Sequence, residues 1–338
     1  MKSLPTIFIV GNSRSGTTMM LRIMGNHPSV HPINEPHFFG TLWSPSDKGN
    51  IPSREEAAAL LSRMITRQRD GFFAKVVPGK FDEEVSHMLD GLNPNLDRIG
   101  LFKAFMAHEC ELHDKTIPCE KTPQDIFYIR EILEQFPGAK VVVMQRDPRA
   151  VMLSQKRKWM RQGLGNQGMP DKEVRRLRMN YHPYTIASLW NSSARAAERF
   201  KDDPNVVQVR FEDLTTDPQG TLMQLCQSIG IPFDERMLEV PHAGSSSAKD
   251  DLSRLGVRKD RTDLWRRDLE DVEIAICQRT CAMHMKQLGY EQVKVHPTAI
   301  KVLAMWVKFP FKLAGAFAMN LSRMRNIVDT LQRRIARA

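Results

Sequence analysis

The segment from Ile7 to Leu21 (IFIVGNSRSGTTMML) constrains the fold more than any other part of the 338-residue chain. Four apolar residues in a row, without polar alternation, predict a short strand buried on both faces, as in a parallel sheet. Gly11 and Gly16 then bracket a tight turn, with four residues between them, and Thr17 and Thr18 open a helix. A buried strand that runs through such a turn into a helix N-terminus is the layout of a phosphate-binding loop: backbone N–H groups converge on an anion, and the helix dipole favours negative charge. The lysine that follows the second glycine in nucleotide-hydrolysing loops is missing here. Thr17 stands in its place, and Arg14 brings positive charge from inside the loop. The expectation is a cradle for a different phospho-anion.

Further apolar runs fit strands of the same parallel sheet, most clearly 6–10, 140–145 and 206–211, and more weakly 72–77, 100–105 and 116–119. Helical spacing separates them. Leu60, Leu61, Met64 and Ile65 mark a helix over 54–69, and Ile126, Ile129, Ile132 and Leu133 mark another over 124–135. The predicted class is α/β: a P-loop-like three-layer fold with a central parallel sheet flanked by helices, plus a C-terminal helical tail. A domain over 1–295 and a basic amphipathic tail over 296–338 are expected. Residues 156–180, polar and basic, read as an insertion or flap over the site.

Charge is unevenly spread. Residues 301–338 carry eight Lys/Arg against Asp329 alone, a net +7 of the chain's +10, so the basic character is poor grounds for nucleic-acid binding by the core. Five cysteines in no metal-ligand spacing suggest reduced thiols and a cytoplasmic setting. No signal-peptide pattern precedes the first strand, and no run of 18 apolar residues free of charge predicts a membrane span.

A second anion site is written into residues 140–154. A buried strand ends at Arg146, Pro148 opens a helix, and Ser154 lies two turns along it. Arg146 and Ser154 can meet one phosphate at the strand's carboxyl end, where α/β folds bind ligands. Two anion sites on one sheet suggest a nucleotide with phosphates at both ends.

Taken together, Arg14, Ser15, Gly16, Thr17 and Thr18 with Arg146, Asp147, Pro148, Arg149 and Ser154 resemble the motif pair of PAPS-dependent sulfotransferases. The resemblance runs over about 5–290 and comes nearest to the tyrosylprotein-type and related bacterial members. It includes a third segment at Val209–Leu214, containing Phe211, and a Trp-Arg segment at Trp265. It implies that the first loop holds the 5′-phosphosulfate of PAPS, that Arg146 and Ser154 hold the 3′-phosphate, and that Arg258 and Lys259 close over it. It implies Glu35 as general base for an acceptor hydroxyl, with His27, His31 and His37 as nearby rivals, and Lys121 beside the transferring group. Arg14 joins these as a catalytic as well as a donor-binding residue. No metal is required by this motif set. The acceptor is a hydroxyl compound: carbohydrate, lipid-linked, phenolic or tyrosyl.

Two other readings use the same residues differently. A P-loop kinase using Mg-ATP lacks the loop lysine and a clear metal-holding acid. A non-catalytic nucleotide-binding scaffold at a membrane leaves Glu35 and Lys121 without a task. In the tail, Leu321, Met324, Val328, Leu331 and Ile335 recur at helical spacing among arginines, and Trp306, Phe309, Phe311 and Phe317 precede them. That pattern fits an interfacial helix on the inner face of a membrane, or a helix docked on its own domain or on a second copy in a homodimer.

Overall fold

The computed structural model describes residues 6–71, 74–160, 171–242, 251–257 and 262–320. In chain order the elements are β1 Ile7–Gly11, α1 Thr17–Gly25, β2 Val30–Asn34, α2 Arg54–Asp70, α3 Asp82–Asp90, α4 Arg98–Leu112, β3 Ile117–Lys121, α5 Ile129–Gln135, β4 Lys140–Gln145, α6 Pro148–Lys156, α7 Asp171–Asn180, α8 Pro183–Glu198, β5 Val206–Arg210, α9 Phe211–Thr216, α10 Pro218–Ile229, β6 Pro241–His242, β7 Asp251–Leu255, α11 Trp265–Asp268, α12 Asp271–Gln287 and α13 Ala299–Asn320. Five strands form one parallel sheet in the order β2-β3-β1-β4-β5, and β6 and β7 pair separately as an antiparallel ribbon.

Strand β1 sits at the centre of the sheet, and its alternation divides the core. Ile7 and Ile9 pack against α1 and α10 on one face, with Met20, Ile23, Leu222 and Leu225. Phe8 and Val10 pack on the other face against α2, α4 and α5, with Leu61, Phe102, Phe105 and Ile132. All four are wholly buried, and each such side chain contributes about 1.5–3 kcal/mol to folding. A third cluster joins α6 to α8 and α12 through Val151, Met152, Trp190 and Cys277, which fixes the helix carrying Ser154. The register brings the carboxyl ends of the strands together: Asn34 pairs with Lys121, Lys121 with Ile9, Gly11 with Met144, and Gln145 with Arg210.

Three expectations change. Residues 100–105 lie in α4, not a strand: the Asp97 carboxylate accepts the Gly100 N–H at 2.8 Å as an N-cap, and Leu101, Phe102, Phe105 and Met106 recur on one helical face. Residues 74–77 are not in a strand, while 72 and 73 lie outside the described residues. Val30–Asn34 forms a strand that His31 and Pro32 conceal in the sequence. Helix α13 is also long and apolar enough to cross a membrane by length and composition, because its few lysines are widely spaced. Within the expected flap, the last residue of α6, a short turn at Lys158–Met160 and α7 are described, and 161–170 are not. All five cysteines are free and buried.

Candidate active site

The loop between β1 and α1 has the geometry of an anion cradle. Gly11 has φ +151° and a side chain there would lie 2.5 Å from the Met144 carbonyl oxygen; Gly16, the N-cap of α1, has φ +94°. Both positions exclude a Cβ. Arg14 sits between them in the left-handed region at φ +78°, a conformation that costs a non-glycine residue about 1 kcal/mol or more. Its Nε donates to Ser154 Oγ at 2.8 Å, so the loop is tied across the sheet to α6. Ser15 Oγ is buried and has no hydrogen-bond partner among the described residues.

The β4 end supplies the second anion group. Arg146 donates from Nη1 to the Arg14 carbonyl at 3.1 Å, and its guanidinium lies over the Phe211 ring, 4.1 Å from the centroid. Phe211 also backs the loop: a Cβ on Gly16 would meet its ring at 2.5 Å. Asp147 and Arg149, which share this motif, face inward instead. Asp147 caps α6 and pairs with Arg149 at 2.7 Å; Arg149 also donates to Gln278 and stacks over Trp265 at 3.9 Å. Trp265 therefore holds the C-terminal segment to α6. Glu212 fixes the same turn, accepting the Asp147 N–H at 2.9 Å and the Tyr290 hydroxyl at 3.0 Å.

On the other side of the cradle lie Lys121 and Glu35, at the ends of β3 and β2. Lys121 is 1% exposed, pairs with Glu35, and its Nζ reaches Thr18 Oγ1 at 3.4 Å. Glu35 has φ +51°, pinned by its N–H on the Lys121 carbonyl at 3.0 Å, and His37 Nε2 lies 3.4 Å from its other oxygen. Burial opposes ionisation of Glu35, but the His37 hydrogen bond and the Lys121 charge outweigh it and hold the carboxyl well below the usual range. His27 contacts the Pro232 carbonyl and His31 lies 3.6 Å from Glu109, so only His37 of the three histidines reaches Glu35.

Beneath this pair are two buried acids. Burial pushes Glu120 up to about 8, with a hydroxyl hydrogen bond from Thr122 at 2.6 Å as the main opposing effect. Burial, reinforced by the charges of Glu120 and Glu35, raises Asp125 well above its ordinary value. Burial thus favours the neutral, protonated form of both, which limits the negative charge set behind Lys121.

The family model described as "Sulfotransferase family" matches residues 5–235. The chain belongs to the sulfotransferase family. Among its curated relatives is an omega-hydroxy-beta-dihydromenaquinone-9 sulfotransferase of Mycobacterium tuberculosis, 24% identical over 254 residues that make up 67% of this chain and 63% of that protein. Another is carbohydrate sulfotransferase 3 of Tetronarce californica, 22% identical over 214 residues, 58% of this chain and 46% of that one. An uncharacterised Aquifex aeolicus protein is 23% identical over 273 residues, only 30% of its own length; the chain thus spans less than two thirds of these relatives. In fold it is similar to the sulfotransferase domain of the Synechococcus PCC 7002 olefin synthase, with TM-score 0.55 and 21% identity over 85% of this chain and 95% of that one.

Within this sulfotransferase chain, the structure brings Arg14, Ser15, Gly16, Thr17, Thr18, Arg146, Ser154, Phe211, Lys121 and Glu35 to one edge of the sheet. Arg258 and Lys259 lie outside the described residues. The guanidinium of Arg14 points to the α6 side of the cradle, away from the Lys121–Glu35 pair. Sequence reading did not single out Glu120, Thr122 or Asp125, and no spacing signal marks them: their importance comes from burial beside Lys121.

Proposed function

We propose that the chain transfers a sulfuryl group from PAPS to a hydroxyl acceptor, with Glu35 taking the acceptor proton. The observation that carries the reading is the order of groups along the sheet edge: Glu35 just after β2, Lys121 at the end of β3, the loop after β1, Arg146 just after β4 and Phe211 after β5. An acid, an anion cradle and a second cationic site in line suit a donor that has an activated end and an anchored end. PAPS, when bound, supplies the activated sulfuryl group at its 5′ end and a 3′-phosphate as the anchor.

The chain's own residues fit such a donor. The N–H groups of the loop, Thr17 and Thr18 suit the 5′ end, and the unpartnered Ser15 hydroxyl is a donor buried in the loop itself. Arg146 and Ser154 suit the 3′-phosphate, with Arg258 and Lys259 as further candidates. Arg14 links the two halves through Ser154. As the acceptor oxygen–sulfur bond forms and the sulfur–phosphate oxygen bond breaks, the hydroxyl proton goes to Glu35 and the negative charge to the leaving phosphate, next to Lys121. In the pair seen here Lys121 weakens Glu35 as a base. Because Lys121 also reaches Thr18, an anion in the cradle draws its charge toward the loop and restores basicity to Glu35. The acceptor hydroxyl belongs to the broad class that includes the quinone-derived and carbohydrate acceptors named for its relatives.

Two measurements test this. Calorimetry should show adenosine 3′,5′-bisphosphate binding, abolished or strongly weakened by Arg14→Ala; tight binding of Mg-ATP without the bisphosphate would overturn the reading in favour of a kinase. Transfer of radiolabelled sulfate from PAPS into fractionated cell extract should label one pool. Glu35→Gln should cut that transfer by about 10²–10⁴ while bisphosphate affinity changes little; unchanged transfer would remove Glu35 as base.

A further inference from the structure

Helix α13 has two unlike sides. One side is docked on the domain: His182 Nε2 contacts the Met305 carbonyl at 3.1 Å, Lys312 Nζ donates to the Arg178 carbonyl at 2.8 Å, and Asn320 donates to Asn180 at 2.9 Å. Phe309 and Trp306 pack on His182 and Tyr184, with ring centroids 4.8 and 5.3 Å apart respectively. The other side bears Ile300 (80% exposed), Leu303 (65%), Val307 (57%), Phe311 (74%) and Phe317 (49%). Four of these recur at spacings of three and four, so they form one continuous stripe on the helix. Scattered exposed apolar residues need no explanation, but a contiguous stripe of this kind does.

Charge decides what covers it. Helix α13 contains no acidic residue. At 100° per residue its lysines, Lys301, Lys308 and Lys312, fall on one flank of the stripe, between the docked and the open sides; Lys301 pairs with Glu270 at 2.9 Å and Lys312 is held on the Arg178 carbonyl, while Lys308 is exposed. Residues 321–338 add five arginines against Asp329. Two such faces from two copies would set like charges against each other. An anionic bilayer surface complements both the stripe and its cationic flank. Length and composition alone would let α13 span a membrane, but its docking argues against that. Helix α7, fastened alongside it, carries Asp171, Lys172, Glu173, Arg175, Arg176 and Arg178, which would have to enter hydrocarbon with it.

We propose that α13 is a monotopic membrane-docking surface: it lies flat in the interface of an anionic bilayer with Ile300, Leu303, Val307 and Phe311 in the acyl boundary and Lys308 among the headgroups. This goes beyond the proposed chemistry and does not depend on it. The full chain should co-sediment with phosphatidylglycerol-containing vesicles, less with pure phosphatidylcholine and less at high salt. Leu303→Glu combined with Phe311→Glu should lower vesicle affinity by about tenfold or more, with circular dichroism and bisphosphate affinity unchanged. A full chain that stays in the supernatant with both vesicle types overturns the proposal, as does equal sedimentation by wild type and variant. Light scattering separates the competing occupant: a wild-type dimer that the double variant converts to monomer, without vesicle binding by either, assigns the stripe to a second copy instead.

Discussion

Glu35 and Glu120 are both acids near Lys121, yet their surroundings push them in opposite directions. Glu35 is ionised by His37 and Lys121; its contribution to stability is complete above the usual carboxylate range and is lost only as pH falls below it. Glu120, pushed up by burial to about 8, keeps a proton in the folded state that the unfolded chain releases near its ordinary value of 4.5. Between those two values the folded state binds more protons, so this group lowers stability as pH rises, and Asp125 acts in the same sense. Glu120→Gln keeps an acceptor for the Thr122 hydroxyl and removes the titration. The expected result is a flatter dependence of melting temperature on pH between 5 and 8 than in wild type, with the variant the more stable at pH 8; each kcal/mol relieved is worth about 1–2 °C in a chain of this size. A wild-type slope retained in the variant would place the titrating group elsewhere. Such an acid could not be picked out in sequence, because Glu120 in a short apolar strand looks like any exposed strand residue until the sheet closes around it.

At the scale of elements, the site is a set of strand-to-helix turns, and legibility follows how each turn is encoded. The turns after β1 and β4 were readable because an unbroken apolar run leads straight into Gly16 or Pro148. Strand β2 was not: His31 and Pro32 interrupt the run, and proline is tolerated there because β2 is an edge strand whose backbone at Pro32 and Asn34 faces the Gln68 side chain of α2 rather than another strand. The position of Glu35 was thus found by resemblance, while its left-handed backbone and its bond to the β3 end emerge only from pairing. Helix α4 was misread because a six-residue apolar window has no period long enough to separate strand from helix. The turn after β1 depends on a contact with the turn after β5. Gly16→Ala puts a methyl group into the Phe211 ring and a side chain at φ +94°. Bisphosphate affinity should fall by more than about tenfold, and Phe211→Ala in the same chain should restore part of it, the steric part but not the backbone part, so the two changes are non-additive. Strictly additive losses would mean that Phe211 does not brace the loop.

For the whole molecule, one ligand joining the β1 loop to α6 links two of the three core clusters, since α1 packs in one and α6 in another. Binding then adds to global stability by mass action: bisphosphate at a hundred times its dissociation constant should contribute about 2.7 kcal/mol. That raises the melting temperature by about 3–5 °C, and Arg146→Ala should abolish most of the shift at the same concentration. A full shift in that variant would mean the 3′ end is held elsewhere. Strand order has one more consequence. The groups proposed to meet the donor sit at the ends of β1, β3 and β4, interior strands whose replacement disturbs both faces of the core, whereas Glu35 follows the border strand, whose outer edge is met by a side chain, Gln68 of α2, rather than by a strand. Donor recognition is therefore bound up with the integrity of the fold. On the proposed reading the acceptor side can be rebuilt with less disturbance of the sheet, so chains sharing this fold could diverge in what they modify while drawing on the same donor.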